Sequence, residues 1–126
     1  MALFAGLRAA CLYGRALARF HQRRYQDAVR LLEKVCQLDP NHERNELYYA
    51  YLGRSHLALG HHDDALKYLS HAYDPFCQRS HLLKEDMEKR EFVAFLTAFS
   101  TVLEKVGQGE RAQEVKHKAE EFLAAQ

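Results

Sequence analysis

The chain has 126 residues, 48% apolar and 28% charged, with a formal net charge of +1. That length suits one compact domain, the apolar share excludes a disordered chain, and no apolar run reaches the roughly 18 residues that a membrane span needs. Two prolines and six glycines, with little β-branched content, favour helix over strand.

Six helices are expected in chain order. The first runs from Leu3 to Gln22, with Leu12, Ala16 and Phe20 in large, small and large places. The second runs from Tyr25 to Gln37 through Leu31, Leu32 and Val35, and Pro40 blocks its continuation. The third runs from Glu43 to Leu59 and stops at Gly60. The fourth runs from Asp63 to Tyr73, with Pro75 as its end, and residues 74–79 form a long connection. The fifth is expected to be extended, from His81 to Val106. Its charged start, KEDMEKRE, should project into solvent, with Glu85–Lys89 and Asp86–Arg90 as acid-before-base pairs. Its remainder carries Phe92, Phe95, Leu96, Phe99, Val102, Leu103 and Val106 as one apolar core stripe. The sixth follows Gly107–Gly109 and places Ala112, Val115, Ala119, Phe122 and Leu123 on one face.

From Tyr49 to Ala72 the chain places a ring, Leu52-Gly53, the turn residue Gly60, then Ala65, Leu69 and Ala72. Two helices pack closely only where small residues sit at their crossing, here Gly53, Ala65 and Ala72. A ring such as Tyr49 then fills the gap to the next unit. Upstream, Tyr25, Ala28, Leu32 and Asp39-Pro40 keep the same order; downstream, Leu96, Phe99-Ser100, Gly107, Ala112 and Ala119 repeat it. Ala28, Ala65 and Ala112 stand 37 and 47 residues apart. The pattern resembles the tetratricopeptide repeat, whose signature combines a Trp, a Leu-Gly pair, spaced Ala and aromatic residues and a late Pro, at a step of about 34 residues. The Trp is absent, and Arg15 stands where the first unit should have Leu. The extra residues fall at 43–45 and around 76–91, between units. The resemblance implies an all-α, right-handed solenoid of three hairpins, with units at 3–40, 43–75 and 81–126 in a single domain. One hairpin cannot bury its apolar face alone, so the units should stack. Both ends read as cut, as in a domain of a larger protein.

Charge is uneven: residues 1–40 hold seven Lys or Arg against three Asp or Glu. Arg8, Arg15, Arg19, Arg23, Arg24, Arg30 and Lys34 read as a solvated face, with RNA binding as the lower alternative. The acid-free start imitates a mitochondrial leader, but it also supplies the first helix, so a cytoplasmic, intracellular location is expected. Cys11, Cys36 and Cys77 are an odd, widely spaced set, which argues against a disulfide framework. Cys77 and His81, four apart, have nothing evident to orient them as a catalytic pair. His61-His62-Asp63-Asp64, with His56 nearby, looks like a metal cluster, but a repeat turn explains it, so no metal and no cofactor are expected. No phosphate loop, nucleophile elbow or metalloprotease motif occurs, and the chain reads as a non-enzyme.

What remains is a surface. The resemblance implies a concave groove lined by the first helix of each hairpin. It should present Tyr13, Leu17, Phe20 and His21, then Leu47, Tyr51, Arg54 and Leu57, then Thr97 and Thr101. Leu17, Phe20 and Leu57 also fit a core role. The clamp by which chaperone-binding members hold carboxylates is not expected, because its places hold Tyr13, Leu17, Tyr51, Ala94 and Ala98. The reading is an adaptor or scaffold that binds a peptide or helix of apolar and acidic character. Tyr13, Phe20 and Tyr51 would anchor it; Tyr51 would be partly exposed, and Arg54 would pair with a partner acid. The alternative is a structural assembly module that self-associates through Leu3–Leu12 or through Val115, Phe122 and Leu123.

Overall fold

The structure, a computed structural model, describes residues 2–126. It is all-helical: α1 (Ala2–His21), α2 (Tyr25–Leu38), α3 (Asn45–Ala58), α4 (His62–Gln78), α5 (Asp86–Lys105) and α6 (Gly109–Ala124), with a short 3-10 turn at Ser80–Leu82. The principal pairs are α1 with α2, α3 with α4 and α5 with α6, joined by short turns that make antiparallel hairpins. α2 also packs on α3, and α4 on α5, while the odd helices α1, α3 and α5 meet one another in order. The arrangement is that of a helical-repeat stack, the fold class expected from the residues.

The turn closing each hairpin is the same structure made three times. Arg23, Gly60 and Gly107 have φ of 62°, 80° and 86°. Each donates its N–H to the residue three earlier: Arg23 to Phe20, Gly60 to Leu57 and Gly107 to Glu104. The next residue donates five back: Arg24 to Arg19, His61 to His56 and Gln108 to Leu103. This is the Schellman pattern, which satisfies carbonyls left open at a helix end. The following helix then opens with Ala28 bonded to Arg24, Ala65 to His61 and Ala112 to Gln108. Steps of 37 and 47 residues relate every member of these sets.

The same steps relate Ala16, Gly53 and Ser100, which are buried at the three hairpin crossings. At Gly53 a Cβ would lie 2.5 Å from Leu69 Cγ and 3.1 Å from the Leu69 backbone nitrogen, so only glycine lets α4 come this close. At Ser100 the hydroxyl instead donates to the Ala112 carbonyl at 3.1 Å. The core runs along the stack. Ala16, Phe20, Leu32 and Leu52 fill one part of it, and Leu69, Phe76, Phe92, Phe95, Leu96 and Leu103 another.

Two helices differ from expectation. α4 does not end at Pro75 but continues through it to Gln78. An interior proline costs about 3 kcal/mol. The extra turn offsets this by seating Phe76, 3% exposed, against Phe92 and Phe95 with ring centroids 5.0 Å apart. α5 starts at Asp86 rather than His81, so it is 20 residues long, no longer than α1. The chain before it is extended at Leu83, which is buried. Glu85 becomes the N-cap in a reciprocal capping box with Glu88 rather than a partner for Lys89. Sequence reading also missed Glu46, 1% exposed at the start of α3, where Arg44 at 2.6 Å and Arg79 at 3.7 Å neutralise it.

Candidate functional site

α3 lies between two faces of the stack, one shared with α1 and α5, the other with α2 and α4. Tyr49 and Tyr51 are rotated by about 200° about its axis and reach opposite faces. Tyr49 stacks on Tyr68 at 6.1 Å and meets His71 at 4.3 Å. Tyr51 meets Phe20 edge-on at 5.1 Å and Tyr13 at 6.3 Å. The expectation of a partly exposed Tyr51 is corrected, for it is 8% exposed. The reason is that α3 is covered on both sides, so opposite rings can both pack.

Arg54 completes this cluster. Its guanidinium lies 4.7 Å from the Phe20 centroid and 5.2 Å from that of Tyr51, and it is ion-paired with Glu91 of α5. The expected pairing of Arg54 with a partner's acid therefore meets an acid already inside the fold. Burial above all raises the Tyr13 and Tyr51 phenols far above their ordinary value, helped next by Tyr51 for the first and Glu91 for the second. Both remain neutral groups at physiological pH.

A cavity of about 160 Å³ opens where α1, α3 and α5 meet. Tyr13, Leu47, Tyr51 and Arg54 of the expected groove line it, together with Arg44, Ala50, Leu83, Met87, Glu88 and Glu91. The other expected groove residues lie elsewhere. Phe20 is buried in the core; Leu17 and Leu57 are half-buried against it. His21 is exposed. Thr97 and Thr101 donate their hydroxyls to Val93 and Thr97 carbonyls of their own helix. Met87, Glu88 and Glu91 were hidden in a run read as nearly all charge and facing solvent. The capping box starts α5 late and carries them to the cavity; the Glu85–Glu88 spacing was the available signal.

The opposite face carries a wider hollow of about 600 Å³ between α2 and α4, lined by Glu33, Cys36, Tyr49, Lys67, Tyr68 and His71. Burial, then Glu33, pushes the Cys36 thiol up to about 11. Burial also raises the Cys77 thiol, and His81 is exposed on the 3-10 turn, so this pair lacks the ready thiolate a nucleophile needs. Arg15, Arg19, Arg24, Arg30 and Lys34 surround one depression, in which Asp27 pairs with Arg24 at 2.9 Å and with Arg30.

Part of the His61–Asp64 run gathers around His56. His56, His61 and Asp64 bring ligand atoms within 4.8 Å of one another; His62 and Asp63 are outside this group. Among the described residues no helix is long and apolar enough to cross a membrane.

Residues 9–42 match the family model of the tetratricopeptide repeat. The match spans most of α1, all of α2 and the chain leading to α3. It supports the resemblance read from the residues, and it falls on the first hairpin, which lacks the Leu-Gly pair. No curated protein matches the chain. Tetratricopeptide repeats are typically non-enzymatic protein-interaction modules, and the all-helical stack agrees with that class.

Proposed function

We propose that the chain is an adaptor that seats an apolar segment of a partner protein in the depression between α1, α3 and α5. The observation that carries the reading is the cavity itself. Its floor is apolar and aromatic, and Met87 at its edge is 66% exposed. Concave, mainly apolar and aromatic sites with a few placed polar groups are the usual form of a binding place. Its charged residues balance, Arg44 and Arg54 against Glu88 and Glu91. That balance favours an apolar side chain with mixed polar neighbours over a strongly acidic ligand, which would have to displace Glu91 from Arg54. Tyr13, Leu47 and Met87 would contact the incoming side chain, with Tyr51 and Arg54 forming the wall behind them.

The test is selection of binding peptides from a random displayed library, followed by titration into the Leu47→Glu variant. Leu47 is half-buried, so the helical content of the variant is checked in parallel. Binding should be lost with helicity retained. Full binding by a folded Leu47→Glu variant contradicts the reading.

A second reading, self-association through the array ends, is supported by Phe4 and Leu7 on α1 and Leu123 on α6, each more than half exposed. Val115 does not belong to such a surface, because it is fully buried, and the side chain of Leu3 lies outside the described residues. Sedimentation over a range of concentrations separates the two. A dimer abolished by Leu7→Glu or Leu123→Glu favours assembly, and a monomer throughout favours the adaptor.

A further inference from the structure

The turn between α3 and α4 carries a cluster that the other two turns do not. His56 Nδ1 lies 3.1 Å from His61 Nδ1, and Asp64 and the two rings bring one ligand atom each within 4.8 Å of one another. The turn backbone does not require these residues. At the equivalent places the first hairpin has Arg19, Arg24 and Asp27 and the third has Leu103, Gln108 and Arg111, with the same Schellman bonds. A repeat turn therefore accounts for the chain path and leaves the histidine pair unexplained.

We propose that His56, His61 and Asp64 form a site for a divalent transition-metal ion, with zinc as the ion that fits best. Zinc–nitrogen bonds of about 2.0–2.1 Å at a tetrahedral angle put two ligand nitrogens about 3.3 Å apart. The two Nδ1 atoms already stand near that separation. Asp64 is exposed in the first turn of α4 and has room to bring its carboxylate in. The ring of His56 is fixed before any ion arrives. It is 7% exposed and lies parallel to the Tyr68 ring, with centroids 5.6 Å apart and planes 11° apart. His61 makes no capping bond with its side chain, so its one ring contact to exchange for a metal bond is the one to His56 Nδ1. Two imidazoles and one carboxylate suit zinc, copper or nickel rather than calcium or magnesium, which take oxygen sets. Three protein ligands leave a fourth position for water or for a donor from a partner. Such a bond would tie the end of α3 to the start of α4 at the hairpin tip.

The experiment is calorimetric titration of zinc chloride into the full chain at pH 7.5, freed of metal beforehand. One equivalent should bind, and His61→Ala or Asp64→Asn should each weaken binding at least tenfold. His62→Ala and His117→Ala should bind as the wild type does; they control for histidine content and for the exposed His117 beside Glu120 and Glu121. In the wild type, the ¹⁵N resonances of the His56 and His61 rings should move with the same stoichiometry, a readout that depends on no variant. Magnesium should leave them still. Binding well below one equivalent, unmoved His56 and His61 resonances, or equal losses in His62→Ala and His61→Ala would each overturn the proposal, leaving a plain contact between two rings.

Discussion

The first and second hairpins share one backbone and build it from different residues. Where the second has Gly53 at the crossing, the first has Ala16, fully buried. Where the second turns at Gly60, the first turns at Arg23, also in the left-handed region. Where the second opens its even helix after His61, the first does so after Arg24. The difference teaches that the repeat is specified by small side chains at the crossing and by the hydrogen bonds of the turn, not by the Leu-Gly pair itself. The family match agrees, for it falls on the hairpin with Arg15-Ala16 in place of Leu52-Gly53.

The largest expected effect tests the crossings. Gly53→Leu drives carbon into Leu69 and its backbone, and overpacking of this kind costs roughly 1–3 kcal/mol or more. Thermal unfolding should show a large fall in melting temperature. Ala16→Gly, at the equivalent place, should cost about 1–2 kcal/mol, from glycine's helix penalty and the loss of one buried methyl. Equal melting temperatures for the wild type and Gly53→Leu would mean the crossings are not equivalent.

The next effect tests the turns, and its sign reverses between the hairpins. Gly60→Ala puts a side chain at φ 80° and should lose about 1 kcal/mol, whereas Arg23→Gly relieves a non-glycine residue at φ 62° and should gain up to about 1 kcal/mol. Urea denaturation of both variants measures this directly. Changes of the same sign would break the equivalence of the two turns.

The smallest effect concerns reactivity rather than stability. Cys36 and Tyr73 occupy equivalent places 37 residues apart, and burial raises both, to about 11 and about 12. At pH 8 little Cys36 is thiolate, and the fraction grows only as pH climbs toward 11. Iodoacetamide followed by mass spectrometry should therefore label the exposed Cys11 well before Cys36. Equal labelling rates at pH 8 would show that Cys36 is not held in its packed place.

The helices and their order were legible because apolar residues recur at helical spacing and Gly60 and Gly107 mark two turns. The first turn was placed, between Gln22 and Tyr25, but its left-handed residue was not legible, since Arg23 carries no such signal; the bonds to Phe20 and Arg19 reveal it. Pro75 misled because the burial of Phe76, which outweighs the proline penalty, depends on α5, distant in sequence. Of the residues expected in a groove, four share one cavity and the rest do not. Tyr13, Leu47, Tyr51 and Arg54 line it together, and the covering of Tyr51 and the Arg54–Glu91 pair are tertiary facts. The His56–His61–Asp64 cluster was set aside because a repeat turn explained the run, and the convergence of its side chains is a tertiary fact.

The claim that the α1–α3–α5 depression receives a partner's apolar segment is tested most directly at Met87. The chain has two methionines, Met1 and Met87, so methyl-labelled protein gives a simple spectrum. On titration with a library-selected peptide, the Met87 methyl resonance should shift in step with binding, and the Leu47→Glu variant should show no shift. A peptide that binds while Met87 stays still and the Tyr49, Tyr68 and His71 resonances move would contradict the account and put the partner on the α2–α4 face.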